Sequence, residues 1–555
     1  MKNNMNMPNK NIKGLVSVGL PTYNRPESLK RALDIITSQT YRDLEIIVSD
    51  NASPGSRVKE VVEEFLLRDS RIKYYRQDKN RGLLFNTEFV LKKSRGEYFM
   101  WFSDDDWRSP EFIEFLAADL EKNRSIDMAF CDYHEVYKDG KLAEGYPATH
   151  LRVFKPFESR FRLIRIISYY WQNAVRGKCN IFYSLFRKAA IEALDLKKIS
   201  GEYKFLNMDN LIVFSLLQAG PVSIRPEAMC ALTCGNKKYY NDNARESNNS
   251  ILSKFFNFWT EHKKASDLYV KNTNLLLEKV IIYFSFFPRF TILFMLVCLK
   301  KIFKPFARDK VSYLDKAGEG QMSVNIRREN SLKQKLELPL VTLVAMATRN
   351  VEETLQALLY SCRGVKFGRV KLLAHYTPFG LDVNPDIELV RVKKIKNIDE
   401  WSHEIIYTLS KYIHTDFALL VHADGFVVNP SVWRNEFLDY DYIGAPFPLP
   451  LDAFSYRGID GSIVRVGNSV SLRSKRLLEL PVKLNLPWEN YHGFYNEDGF
   501  ICVKNRHVYE LNGMKFAPID VAKYFAHERM IPEIKGIKPF AFHKWAGTNR
   551  NYPKF

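Results

Sequence analysis

Tyr98-Phe99-Met100-Trp101-Phe102-Ser103-Asp104-Asp105-Asp106-Trp107 is an apolar run that empties directly into three carboxylates. The run reads as a buried strand. At an effective dielectric of about 20, each close pair of like charges at its end repels by up to ~4 kcal/mol. A divalent cation reverses that sign, and carboxylate oxygens suit Mg²⁺ or Mn²⁺. An acidic strand end of this kind suits a metal that in turn holds a diphosphate. Taken alone it would read equally as a solvated acidic turn.

The residues upstream supply its context. Leu15 to Leu20 is a short strand ending in Pro21-Thr22-Tyr23-Asn24-Arg25, and a helix follows over Glu27 to Thr37 with Leu29, Ala32, Leu33 and Ile36 on one face. A second strand, Leu44 to Ser49, ends in Asp50-Asn51-Ala52-Ser53, and a third, Ile72 to Tyr75, leads to Asn80-Arg81-Gly82 and Asn86. Strand–helix alternation at this spacing predicts a parallel, doubly wound sheet, whose ligands bind outside the carboxyl ends of the strands. Each of these polar groups sits at such an end.

This order of motifs resembles the family 2 glycosyltransferases of GT-A fold, over about residues 14 to 235. The resemblance implies that Pro21, Thr22 and Asn24 line a nucleotide pocket, that Asp50 bonds the base, and that Arg81 and Gly82 lie near the nucleoside. It implies paired roles for Asp104 and Asp105, one at the ribose and sugar and the other on Mn²⁺ or Mg²⁺. Many relatives carry Asp where this chain has Ser103, so Asp106 stays open as the metal ligand. Inverting transfer needs a general base for the acceptor hydroxyl. The family's late acidic residue falls on Asp209, ahead of the apolar run Leu211 to Phe214, with Lys178 to Tyr183 resembling the acceptor-side strand. The competing reading is that Asp209 complements a helix N-terminus.

At 555 residues, with 46% hydrophobic content, the chain needs two or three globular domains. Its seven cysteines are scattered; Cys230 and Cys234 read as structural thiols, not as half of a zinc site. The polar opening Met1-Lys2-Asn3-Asn4 has no secretory core, so the expectation is a reduced, cytoplasmic protein. A net charge of +19 invites a nucleic-acid partner, but no nucleic-acid-binding signature accompanies it, and none is expected.

The charge is partly concentrated: residues 251–337 carry 16 Lys and Arg against 8 Asp and Glu. Within them lies the apolar run Val280 to Leu299, followed by Lys300, Lys301, Lys304, Arg308 and Lys310. Pro288 and Arg289 at its middle argue against a span, since Arg costs ~2.5–3.5 kcal/mol at a helix centre on insertion scales. A short helix from Phe290 with a basic flank fits peripheral contact with the inner, anionic face of a cytoplasmic membrane. A buried interdomain helix fits the same letters. Asp309 to Leu336 is polar and reads as a linker.

A new strand–helix register begins at Leu340 to Ala347 and enters a helix over Glu352 to Leu359; further strands are expected at Val370 to His375, Ile387 to Val392 and Phe417 to His422. The last ends in His422-Ala423-Asp424-Gly425. With Val466-Gly467-Asn468-Ser469, Asn496-Glu497-Asp498 and Phe542-His543, the set resembles a glycosyltransferase-like domain family, domain of unknown function 5672, over about residues 338 to 550. By that analogy Asp424 binds metal, His543 completes its shell, Glu497 or Asp498 is the base, and Gly467 and Asn468 let backbone approach the sugar. His422 departs from the carboxylate expected there.

The expected fold class is α/β: two GT-A-like, mostly parallel domains joined by a helical basic segment. The expected division is a tail over 1–13, a first domain over 14–250, the segment 251–337 and a second domain over 338–555. The resemblance implies a bifunctional enzyme that moves sugars from nucleotide donors, UDP-sugars first among them, to a surface polysaccharide or lipid-linked glycan. The alternative is one activity, with the second domain a non-catalytic acceptor-binding or scaffolding module.

Overall fold

The computed structural model describes residues 11–137, 151–172, 177–196, 199, 208–233, 251–292, 295, 335–382, 384–452, 455–488 and 496–543. Contacts divide the chain into two units, Met1–Leu314 and Asp315–Phe555. The division falls inside the basic segment.

The first unit is built on an eight-stranded sheet in the order β3-β2-β1-β4-β7-β6-β8-β5. β1 (Ile12–Thr22), β2 (Leu44–Asp50), β3 (Ile72–Arg76) and β4 (Gly96–Trp101) run parallel. β2 is buried at every residue: Ile46, Ile47 and Val48 are apolar on both faces, and the buried Glu45 is held by Lys73 and Arg95. α1 (Pro26–Thr37) turns Leu29, Ala32, Leu33 and Ile36 inward, with Pro26 in its first turn, where a missing N–H costs nothing. α2 (Arg57–Leu66), α3 (Leu83–Lys93) and α4 (Phe112–Lys122) complete the crossovers. β7 (Leu185–Arg187) is antiparallel to β4, and β6 (Met128–Val136) is antiparallel to β7. β8 (Val222–Thr233) extends the sheet, and the two-residue β5 (Trp107–Arg108) pairs with its end.

Two expectations are corrected here. Lys178–Tyr183 is a 3₁₀ helix entered through the left-handed Gly177, and only Leu185–Arg187 is strand. The helix expected from Phe290 already begins at residue 276 and runs through Pro288 to residue 292. Pro288 is exposed, so the carbonyl one turn back that it leaves unbonded lies on the outer side. This helix and Ile251–Lys271 pack within the first unit: Arg162 bonds Glu278 at 2.6 Å, and Phe286 and Phe290 meet Trp259 edge-on. Among the described residues no helix is long and apolar enough to cross a membrane. The end of the apolar run from residue 296, the basic flank Lys300 to Lys310, the polar stretch to residue 334 and Cys234 lie outside the described residues.

The second unit holds a six-stranded sheet in the order β11-β10-β9-β12-β14-β13. β9 (Leu336–Met346), β10 (Val365–Ala374), β11 (Ile387–Arg391) and β12 (Phe417–Leu420) are parallel. β14 (Val466–Ser474) is antiparallel to β12, and β13 (Tyr442–Pro446) is antiparallel to β14. Strand for strand this repeats the order and direction of β3-β2-β1-β4-β7-β6. A small parallel pair, β15 (Ala526–His527) with β16 (Ala541–Phe542), lies beside it.

Candidate functional site

In the first unit the strand order reverses between β1 and β4, the switch point at which open α/β sheets bind ligands. Pro21 and Thr22 close β1, and Asn24 takes a left-handed φ of 54° and donates its N–H to Ser53 Oγ at 2.8 Å. Asp50 ends β2 fully buried, accepting from the Ser53 N–H at 2.8 Å and the Tyr74 hydroxyl at 3.0 Å. It therefore holds the turn on which Asn24 rests. Asn51 accepts from the Arg81 N–H at 3.0 Å and donates to the Gly82 carbonyl at 3.1 Å, pinning that loop to the end of β2. Gly82, at φ 84°, starts α3 in a conformation that favours glycine. Asn86 ties β2 to α3 through Ser49, by its Oδ1 at 2.6 Å and its Nδ2 at 2.8 Å. Asn51 and Asn86 carry the crevice, yet only their places in the sequence near strand ends hinted at it.

The three aspartates have three environments. Asp104 is nearly buried and bonds Arg25 Nη1 at 2.9 Å; burial pushes its carboxyl up. Asp105 is more open, lies 3.6 Å from the same guanidinium and accepts from the Ser103 hydroxyl. Asp106 turns inward to the Thr233 N–H at 2.8 Å and Arg108 at 3.5 Å, and burial raises it to about 6. Arg108 is itself buried among the rings of Phe102, Phe112 and Tyr183. Asp106 thus fastens the turn to β8, while Asp104 and Asp105 share one cation. Arg25 was legible as a basic residue in the first strand's motif, but not as the partner of the acidic turn.

Asp209 stands in the first turn of helix Met208–Ala219, accepting from the Asn210 N–H at 2.7 Å, and burial raises its carboxyl. The buried Tyr183 feels the charge of Asp106 most, and those of Asp105 and Asp209 less.

In the second unit the equivalent switch point, between β9 and β12, opens a cleft of about 520 Å³. Thr348, Arg349, Asn350, Trp401, His422 and Asp424 are among its lining residues. Asn350 has φ 52°, matching Asn24 at the first strand's exit. Thr348 staples that exit to Ile395 by hydrogen bonds of 3.0 and 3.1 Å, and the Trp401 indole donates to the Met346 carbonyl at 2.8 Å. His422 to Gly425 is a tight turn. A Cβ on Gly425 would lie 2.9 Å from His543 Cδ2, so glycine there lets His543 approach. β16 delivers it, and His543 Nε2 stands 3.6 Å from Asp424 Oδ1, beyond hydrogen-bond range. Burial and the neighbouring His543 bring His422 down to about 3, and its buried Nε2 has no hydrogen-bond partner among the described residues. Burial works against the His543 cation, but Asp424 outweighs it and raises its pKa.

The two base candidates here separate. Glu497 is fully buried in an ion pair with Arg473 at 2.9 Å. Asp498 is brought to about 7 by burial and then by Glu497. Asn468 faces inward, its Oδ1 accepting from the Val470 N–H at 2.8 Å and its carbonyl from the Tyr442 hydroxyl at 2.5 Å. Gly467 makes room for the Phe447 ring, which a Cβ would meet at 2.1 Å. Among the described residues no three His, Cys, Asp or Glu side chains already form a metal-holding group.

An uncharacterized glycosyltransferase of Methanocaldococcus jannaschii is 31% identical over 155 residues, 28% of this chain and 50% of that protein. The Escherichia coli chondroitin synthase is 25% identical over 133 residues, 24% of this chain and 19% of that protein. The chain thus spans half or less of the length of these curated relatives. The Staphylococcus aureus TarS 1-349 crystal structure with UDP aligns at 16% identity and TM-score 0.31, covering 43% of this chain and 68% of that one. Family profiles match at residues 17–186 for glycosyl transferase family 2 and at 392–543 for protein of unknown function (DUF5672). The chain therefore carries a family 2 glycosyltransferase domain in its amino-terminal unit and a DUF5672 domain in its carboxy-terminal unit.

Proposed function

We propose that this chain is a bifunctional glycosyltransferase, each unit moving a sugar from a nucleotide donor to a growing glycan or lipid-linked glycan. One observation carries the reading for the second unit: the two sheets share strand order, direction and the register of an aspartate. Trp101 pairs with Gly19, and Phe102 donates its N–H to Gly19 O; Leu420 pairs with Val344, and Val421 donates to Val344 O. Counting three residues on from Phe102 and from Val421 reaches Asp105 and Asp424.

The donor's nucleotide would rest against Pro21, Thr22, Asn24, Arg81 and Gly82, with Asp50 acting through the turn it holds and Asp104 at the ribose and sugar. In the first unit an all-oxygen pair already balanced by the Arg25 guanidinium fits a divalent cation at Asp105. In the second, a carboxylate and an imidazole spaced too far apart to bond each other, beside the orphaned His422 Nε2, fit one at Asp424 and His543. Mn²⁺ or Mg²⁺ held there supplies Lewis-acid stabilisation of the departing diphosphate. Asp209 would take the acceptor proton in the first unit, and its raised pKa suits that role. Asp498 is the better placed candidate in the second, because Glu497 is committed to Arg473. The replacement of a carboxylate by His422 favours the rival reading, a second unit that binds acceptor without catalysis.

The test is a nucleotide-sugar panel with Mn²⁺ or Mg²⁺, scoring hydrolysis and binding for wild type, Asp105→Asn and Asp424→Asn. Two donors, each lost in one variant, support two active centres. One donor, lost only in Asp105→Asn, leaves the second unit a binding module. No metal-dependent response to any donor would refute the reading.

A further inference from the structure

The helix over residues 276–292 buries one face and leaves the other bare. Inward it sets Glu278 against Arg162, Ile282, Phe286 and Phe290 in the core, and Arg289 over the Tyr170 ring at 4.7 Å. Outward it presents Leu276, Leu277, Val280, Tyr283, Phe284 and Phe287, a helical spacing that forms one continuous apolar stripe. Leu276, Leu277 and Phe284 are 78%, 66% and 71% exposed. The Arg162–Glu278 pair brings helix Arg162–Trp171 alongside, and Phe161 just ahead of it and Leu163 and Ile164 within it are exposed too. Exposed apolar ground of this extent marks an interaction surface.

We propose that this face docks the protein on an anionic lipid surface, the helix lying in the interface without crossing it. Of its charged residues, Glu278 and Arg289 are turned inward and Lys279 is half-buried, so the outer stripe is apolar and aromatic apart from Thr291 near its end. Eight residues on in the sequence, and outside the described residues, 300–310 hold Lys300, Lys301, Lys304, Arg308 and Lys310 against the single acid Asp309. That charge complements an anionic leaflet. A second copy is the poorer occupant, because it would bring together two chains that each carry a net charge of +19. The docked face also connects to the candidate base: Trp259 and Tyr269 share the helix Ile251–Lys271, and Tyr269 packs on Phe214 of the helix that carries Asp209. The proposal does not depend on the sugar-transfer reading.

The test is co-sedimentation of the full chain with vesicles of phosphatidylcholine alone, or with about a third phosphatidylglycerol, at low and high salt. Wild type should pellet with the anionic vesicles. Leu277→Asp with Phe284→Asp should lower partition at least about tenfold, while thermal unfolding stays unchanged because both positions are exposed. Lys300→Gln, Lys301→Gln and Lys304→Gln should each weaken anionic binding about fivefold, an effect that high salt reproduces in wild type. Wild type remaining in the supernatant, or binding indifferent to Leu277→Asp with Phe284→Asp, would overturn the proposal. Self-association abolished by those same substitutions, without lipid binding, would overturn it in favour of a second copy.

Discussion

Glu497→Gln separates a supporting role from a catalytic one. Both Glu497 and Arg473 are wholly inaccessible and 2.9 Å apart, and Arg473 Nε also donates to Ser471 Oγ at 2.8 Å. Removing the Glu497 charge leaves the guanidinium buried and uncompensated among Tyr442 and Cys502. Breaking one side of a buried pair costs about 3–5 kcal/mol. For a unit of this size that is a fall in its unfolding temperature of roughly 6–20 °C. The two units need not unfold together, so the assay must report on each. Hydrogen exchange of peptides spanning Val466–Ser474 follows the second, and Leu44–Asp50 serves as the internal control in the first. Exchange should accelerate in the first peptide alone. Arg473→Met combined with Glu497→Leu should recover much of the loss, because replacing a whole buried pair by apolar groups is often neutral. An unchanged exchange rate in Glu497→Gln, with second-unit activity abolished, would refute the supporting role and return Glu497 to the reaction.

Four further outcomes are expected. Arg25→Ala should tighten Mn²⁺ binding to the first unit about 2–5-fold by calorimetry without nucleotide, the modest scale of a solvent-exposed ion pair, and unchanged or weaker binding would count against Arg25 as the resident cation. Second-unit transfer should rise as pH passes about 7, the value to which burial and Glu497 bring Asp498, and Asp498→Asn should remove that limb. The same raised pKa makes neutral Asp498 stabilising below about pH 4, a contribution lost as pH climbs through its folded pKa, so pH-dependent melting should show the mirrored trend. Gly467→Ala should destabilise the second unit by about 1–3 kcal/mol in thermal denaturation, since its Cβ would meet the Phe447 ring at 2.1 Å.

The sequence alone determined both parallel sheets and which ends of their strands carry polar groups. Buried parallel strands are mostly apolar on both faces, so Ile46 to Val48 of β2 and the whole of β12 announce themselves, and the polar residues that follow each run mark the carboxyl end. It also determined the acidic turn at Asp104 to Asp106, because three adjacent carboxylates after an apolar run stand out in one dimension. It did not distinguish them. Their roles depend on partners far along the chain: Arg25 for Asp104 and Asp105, and the Thr233 N–H for Asp106. The same holds for Glu497 and Asp498, adjacent in sequence but turned to different surroundings by Arg473 on β14. Lys178–Tyr183 was misread as strand because its apolar letters suit either state, and Gly177 with the tertiary packing chose the tighter turn. Which face of residues 276–292 remains bare was likewise a tertiary decision. The stretch is apolar on nearly every side, and only the packing of Phe286 and Phe290 against Trp259 selects the side that is covered.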